Sequence, residues 1–252
     1  MKKLGLFIGL LFGLTAHSQI SINSTHMPQS GDTLRYSIAT LDTAVLLNYR
    51  ASGANLTWDF SGLIPRQQDV QRFVASSQTP YANSVPNRIG LLFADTLSFG
   101  GFSIYNAYNF LNNTATDFSI DHRGASIPNP IFPGGPDLKL TDSYLDKDEI
   151  FQFPLDYNDR DSSTFNFEYS TLGIYYGSSG YRINEVDAWG SLITPYGTFN
   201  CIRVVTDMVS YDTVSVPAFG GGMAQNVGIN SHTREYQWIS DQIKIPALKV
   251  NG

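Results

Sequence analysis

The sequence predicts an all-β fold, an antiparallel β-sandwich or half-open β-roll with long loops and little helix, and three observations carry that expectation. Apolar and polar residues alternate with period two in several segments, the pattern of a strand with one buried face. Turn-forming pairs cut the chain into pieces of strand length. Charged residues make up 15% and aromatics 13% of the 252 residues, against about 25% charged in ordinary domains, which suits an exported β protein.

Met1-Lys2-Lys3 is a positive n-region, Leu4 to Leu14 an apolar run, and Ala16 and Ser18 stand where a signal peptidase reads small residues. The run is shorter than the roughly 20 residues a membrane-spanning helix needs. Residues 1–18 are therefore read as a cleaved signal peptide, with no Cys at the cleavage site to take a lipid and no transmembrane segment in the mature chain. Residues 19–252 then form one β domain, which would divide, if at all, near 127–136.

Thr33 to Ile38 alternates, so Leu34, Tyr36 and Ile38 are expected inward and Thr33 outward. Gln68 to Val74 fits a strand, and also a helix through Val70, Phe73 and Val74. Turns are expected at Gly31-Asp32, Ser52-Gly53, Ser61-Gly62, Gly100-Gly101, Asn112-Asn113 and Ser178-Ser179-Gly180. Four prolines make 127–136 a long loop. In 164–169, Phe165, Phe167 and Tyr169 share one packed face. Thr194-Pro195-Tyr196-Gly197 is a tight hairpin turn, with Gly197 placed for a positive φ. The strand that follows, Thr198 to Met208, is apolar on both sides and so central, with Cys201 buried and inert. Pro217 to Asn230 is expected to be irregular.

The segments Ile22 to Pro28, Gly31 to Ser37, Leu56 to Ser61, Val186 to Phe199, Glu235 to Trp238 and Ile245 to Leu248 resemble a group of uncharacterised exported proteins of Bacteroidota. The resemblance spans nearly the whole mature chain and describes a fold, with no catalytic residues to carry over. Members of that group commonly continue into a C-terminal sorting domain read by the type IX secretion system. Such a domain does not appear before Gly252, which leaves cell surface, medium and periplasm as the expected locations. The resemblance also implies O-glycosylation at Asp-Thr-apolar triplets, here at Thr33, Thr43, Thr96 and Thr213. Their alternative role is strand entry, with Asp closing a turn and Thr starting the ladder.

The net charge of −6 and the absence of a Lys/Arg cluster exclude a phosphate-tracking nucleic-acid surface. With one cysteine, no intrachain disulfide forms. Acidic residues gather from Asp137 to Asp161, and Asp156-Tyr157-Asn158-Asp159-Arg160-Asp161 begins like a calcium loop. Arg160 then stands where an oxygen ligand is needed, so solvated loop charge is the preferred reading, no cofactor is expected, and calcium is the one metal that the run raises. His26, His122 and His232 have no zinc-ligand spacing. No nucleophile elbow is present, so no catalytic residue is named. Trp58, Trp189 and Trp238 are the candidates for stacking on a sugar. The functional expectation is a non-catalytic surface or periplasmic module, with cell-surface glycan as the candidate ligand. The alternatives are a secreted hydrolase of polysaccharide and a β-roll that carries lipid or lipoprotein.

Overall fold

The computed structural model describes residues 19–40, 49–99, 102–129, 131–216 and 225–251. The signal-peptide segment, Gly100-Gly101, Thr43 and most of the expected irregular run after Pro217 lie outside them. The strands are β1 (Thr33–Ala39), β2 (Gly53–Asp59), β3 (Pro65–Ala75), β4 (Ile89–Phe99), β5 (Phe102–Asn113), β6 (Asp117–Ile127), β7 (Leu138–Gln152), β8 (Arg160–Thr171), β9 (Ile174–Thr194), β10 (Gly197–Val216), β11 (Gln225–Ile239) and β12 (Leu248–Asn251). Among the described residues, helix is limited to short 3-10 turns at Ser24–His26 and Ser76–Gln78. The protein is all-β, and the segment with two readings, Gln68 to Val74, is strand.

One open sheet runs β1-β3-β4-β5-β6-β7-β8-β9-β10-β11-β12, with β2 lying beside β9. From β4 to β11 it is a meander whose successive strands pair antiparallel. It folds over so that Phe73, Leu111, Phe118 and Phe151 meet Val186, Ile202, Val204 and Ile239 in the inner core. Fully burying each such side chain is worth about 1.5–3 kcal/mol. Ser37 Oγ against the Tyr196 hydroxyl (2.6 Å) and Lys244 to Asp32 (2.7 Å) clip the β1 edge to the opposite half.

The centre of the sheet is β10. Ile202 and Val204 point into the inner core, while Cys201 and Val205 point into an outer core with Trp58, Phe60, Leu192, Tyr236 and Trp238. The two-faced pattern read from Thr198 to Met208 is thus realised. Burial pushes the Cys201 thiol up to about 12. The outer core is covered by β2, which runs parallel to β9 from Leu56 opposite Gly190 to Asp59 opposite Ile193. Gly190 sits so close to β2 that a Cβ there would lie 2.0 Å from the Leu56 carbonyl oxygen.

On the same outer face Arg203 is fully buried. Its Nε and Nη2 donate to the two Asp187 carboxylate oxygens at 2.8 and 2.6 Å, and its Nη1 donates to the Tyr49 carbonyl. The guanidinium carbon lies 5.5–5.8 Å from the ring centres of Trp58, Tyr236 and Trp238. A buried cation is tolerated only with such pairing, because desolvation alone costs several kcal/mol. Asp187 comes from a bulge in β9: Arg203 faces Ala188 while the next residue, Val204, faces Val186.

Several local expectations are corrected. Ser178-Ser179-Gly180 is not a turn but lies inside β9, where a Cβ on Gly180 would strike the Val209 carbonyl oxygen at 2.0 Å. This glycine permits close strand approach rather than chain reversal. Asn112-Asn113 closes β5, and the reversal falls just beyond it. Gln225 to Asn230 is strand, paired with Val216 back to Tyr211. Ile38, expected inward, is 47% exposed because the ladder to β3 slips between Ile38 and Ala39. The acidic run Asp137 to Asp161 is mostly β7 and the start of β8, not loop. The hairpin at Pro195-Tyr196 forms as expected, with Gly197 at φ +149. The proline-rich loop joins β6 to β7, which pair on either side of it at Ile127 and Leu138.

Asp187→Asn leaves Arg203 buried without its counter-charge. We expect a loss of about 3–5 kcal/mol in urea unfolding, with Arg203→Met added to Asp187→Asn recovering part of it.

Candidate functional site

Where β7 meets β8 the ladder nearly fails. Among the described residues these strands share one pair, Asp146 opposite Asn166, whereas β8 and β9 pair along the full length of β8. Beside this seam lies a groove of about 540 Å³ lined by Asp146, Glu149, Ser162, Ser163, Thr164, Tyr181 and Ile183. Alternation in β8 and β9 decides what lines it. Phe165 and Phe167 turn inward, so Ser162 and Thr164 turn out, and Tyr181 and Ile183 share that outer face opposite them.

Side chains take over where the backbone ladder stops. The Ser163 hydroxyl donates to the Glu149 carbonyl (3.3 Å) and Asn184 Nδ2 to the Ile150 carbonyl (3.0 Å). Thr164 Oγ1 donates to Asp146 Oδ2 at 2.6 Å. Glu149 accepts from Gln152 Nε2 (2.8 Å) and pairs with Lys147 (3.1 Å), which also reaches Asp117 (3.0 Å). Tyr181 lies opposite Thr164 in the ladder and leaves 42% of its surface in solvent. The groove therefore offers a flat aromatic ring, free acceptor capacity on two carboxylates, and hydroxyl oxygens on Ser163 and Thr164 that can still accept.

Behind the groove, Asp161 Oδ1 accepts from Asn184 Nδ2 (3.1 Å), and Asn184 Oδ1 accepts from Thr206 Oγ1 (2.7 Å). Burial, with Glu149 nearby, holds the Asp161 carboxyl above its ordinary value. Deeper still, Arg182 makes a two-pronged pair with Asp148 at 3.1 and 3.0 Å. Arg123 lies 5.4–5.6 Å from the ring centres of Tyr144, Phe167 and Tyr176 and donates to the Tyr176 hydroxyl. Arg182 and Asp148 are thus paired, whereas Arg123 is packed among rings with its Nε left without a hydrogen-bond partner.

The tryptophan platform is corrected. Trp58 and Trp238 are 1% and 0% exposed and meet edge to face at 5.8 Å, with Arg203 against them. No ring face is left for a ligand. Trp189 is half-buried against the inner core. Thr33 is exposed, as the alternation of β1 predicts, and Thr96 is exposed too, while Thr213 is half-buried. In the calcium-like run, Asp159 uses its carboxylate to accept the Asp156 amide (2.8 Å), closing a turn with Asn158 at φ +75. Among the described residues no group of three or more His, Cys, Asp and Glu is placed to hold a metal ion. Of the His residues, His26 accepts the Asn23 amide and His122 pairs with Asp121. The acidic half of the groove lies within the run singled out in the sequence. Its aromatic half, Tyr181, carried only the signal of alternation with Ile183 and Glu185. No protein-family model, no curated protein and no solved structure matches this chain.

A raised acid stabilises the fold most when protonated. The contribution of Asp161 is fully present below the ordinary carboxyl value of 3.8 and is lost as pH rises through its higher folded value. Asp161→Asn keeps an acceptor for Asn184 and removes the charge. Its unfolding midpoint should therefore exceed that of the unsubstituted protein at neutral pH, and the difference should shrink towards zero below the ordinary value.

Proposed function

We propose that this protein is an exported, non-catalytic binding module whose ligand is a carbohydrate chain, and that the groove between β7 and β8 is its binding surface. The exposed Tyr181 ring beside the hydroxyl and carboxylate acceptors of Asp146, Glu149, Ser162 and Thr164 is the observation that carries the reading. A sugar ring has an apolar face that stacks on an aromatic plane and a rim of hydroxyls that needs acceptors and donors. An open groove takes a segment of polymer from the side, without threading an end.

The apolar leader of residues 1–18 and the sparse charge support export, with the cell surface, the medium or the periplasm as the place of work. A hydrolase would need an acid and a base converging on one bond from about 5 to 9.5 Å apart. Asp161, the raised carboxyl nearest the groove, is tied to Asn184 and is not part of the lining. That arrangement favours holding a glycan over cutting it. The inner cores fill the interior with side chains, which weighs against the lipid carrier.

Affinity electrophoresis through gels containing soluble polysaccharides tests this reading. At least one neutral polysaccharide should retard the protein, and Tyr181→Ala should weaken that retardation about tenfold, the value of one stacked ring. The unfolding midpoint should not move, because the ring is exposed. Retardation by none of them, or equal retardation of the variant, would end the proposal.

A further inference from the structure

The meander puts four reversals at one end of the molecule. Because β4 to β11 alternate in direction, the β4–β5, β6–β7, β8–β9 and β10–β11 connections share an end, beyond the ladder pairs Phe99↔Phe102, Ile127↔Leu138, Thr171↔Ile174 and Val216↔Gln225. The β5–β6, β7–β8 and β9–β10 connections share the other. The two ends differ in chemistry. Asp117, Asp156, Asp159 and Arg160 lie at the second, whereas the described residues 124–129, 131–136 and 169–181 at the first contain no Asp, Glu, Lys or Arg, and Asp95 on β4 and Asp212, opposite Ile229 in the ladder, are the charges nearest its other tips.

Large apolar side chains stand in solvent at this charge-poor end. Ile131 and Phe132 are 74% and 66% exposed, and Leu172, Val227 and Ile229 join them. Two details show that the exposure is built in. Leu172 and Gly173 form the two-residue β8–β9 turn with φ +51 and +79, a turn for which Asn, Asp or Gly is the favoured first residue. A leucine in that left-handed region is strained and leaves its side chain in water. Local consistency is broken with no gain inside the fold, the mark of a functional position. In the β6–β7 loop, the Ile131 and Phe132 amides both donate to Asn129 Oδ1 at 3.0 Å, and the Phe132 carbonyl accepts the Gly135 amide at 2.9 Å. Three polar backbone groups at the apolar tip are thus satisfied within the loop, as entry into hydrocarbon requires.

We infer that this end docks on a lipid bilayer, with Ile131 and Phe132 entering the acyl boundary and Leu172, Val227 and Ile229 behind them. Tyr169, Tyr175 and Tyr211 lie a few residues below the tips, the level at which amphipathic rings favour a membrane interface. The described residues of this end carry no cluster of Lys or Arg to draw an anionic surface, its charges being Asp95, Asp137, Lys139 and Asp212, so the matching surface is zwitterionic. This inference does not rest on the glycan reading, since the groove lies on the sheet face and the tips at its end.

The buried, unreactive Cys201 makes a position-specific test practical. Ile131→Cys carrying a polarity-sensitive fluorophore should shift its emission to the blue and lose iodide quenching when phosphatidylcholine vesicles are added. The same label on Tyr196→Cys, at the opposite end, should not respond. The Ile131→Ser/Phe132→Ser double variant, both positions being exposed, should keep its unfolding midpoint and partition onto those vesicles about tenfold or more weakly. Partition should survive high salt. No response at position 131, an equal response at 196, or undiminished partition of the double variant would overturn the inference. A shift at position 131 that follows protein concentration instead of vesicles would do so as well, making a second copy the occupant.

Discussion

The bulge at Asp187 is the constraint on which the rest of the architecture depends. Up to Val186 the even-numbered residues of β9 face the inner core; after the bulge, Ala188 and Leu192 face the outer one. The same position marks a change of partner. β8 pairs with β9 as far as Glu185, and β2 takes over at Ala188, antiparallel giving way to parallel. One extra residue thus turns a sheet with one buried face into a sheet buried on both, and its carboxylate neutralises the only charge that the outer core contains among the described residues. Arg203, walled by three aromatic rings, ties β9, β10 and β11 to the segment before β2.

Much of this was legible in the sequence. Period-two alternation located β1 and β8, Pro195 and Gly197 located the β9–β10 reversal, and the apolar residues on both sides of Thr198 to Met208 identified the central strand. The tryptophans were misread because exposure is not a local property. Trp58 and Trp238 are covered by each other and by Phe60, and that meeting requires β2 to lie alongside β9, more than a hundred residues away. Gly190 packs against the Leu56 backbone, a neighbour that is likewise more than a hundred residues away. The groove escaped notice for a different reason. It arises where β7 and β8 fail to pair, and the absence of a ladder leaves no periodicity to read. What the sequence did carry was its acidic content, whose members then part company: Asp148 pairs inward with Arg182, Asp146 and Glu149 line the groove, and Asp156 and Asp159 close a turn.

The two proposed surfaces follow from the same meander. Sparse pairing of β7 with β8 leaves a polar, open groove on a face, and the alternation of strand direction gathers charge-poor reversals at one end. A module seated on a bilayer by those tips would hold its groove upright, facing along the surface and open to polymer passing beside it. Both surfaces are made of side chains that the two cores do not use.

The central claim is that β10 and β2, the strand that joins β9 at the bulge, form one cooperative unit. Native-state amide exchange under rising denaturant measures this directly. Amides of Ile202 to Thr206 and those of Leu56 to Asp59 should exchange only through global unfolding, with the same opening free energy and the same denaturant dependence. Exchange of the Leu56 to Asp59 amides through a separate, cheaper opening, with β10 still protected, would show that the outer layer is an independent cover and would contradict the account.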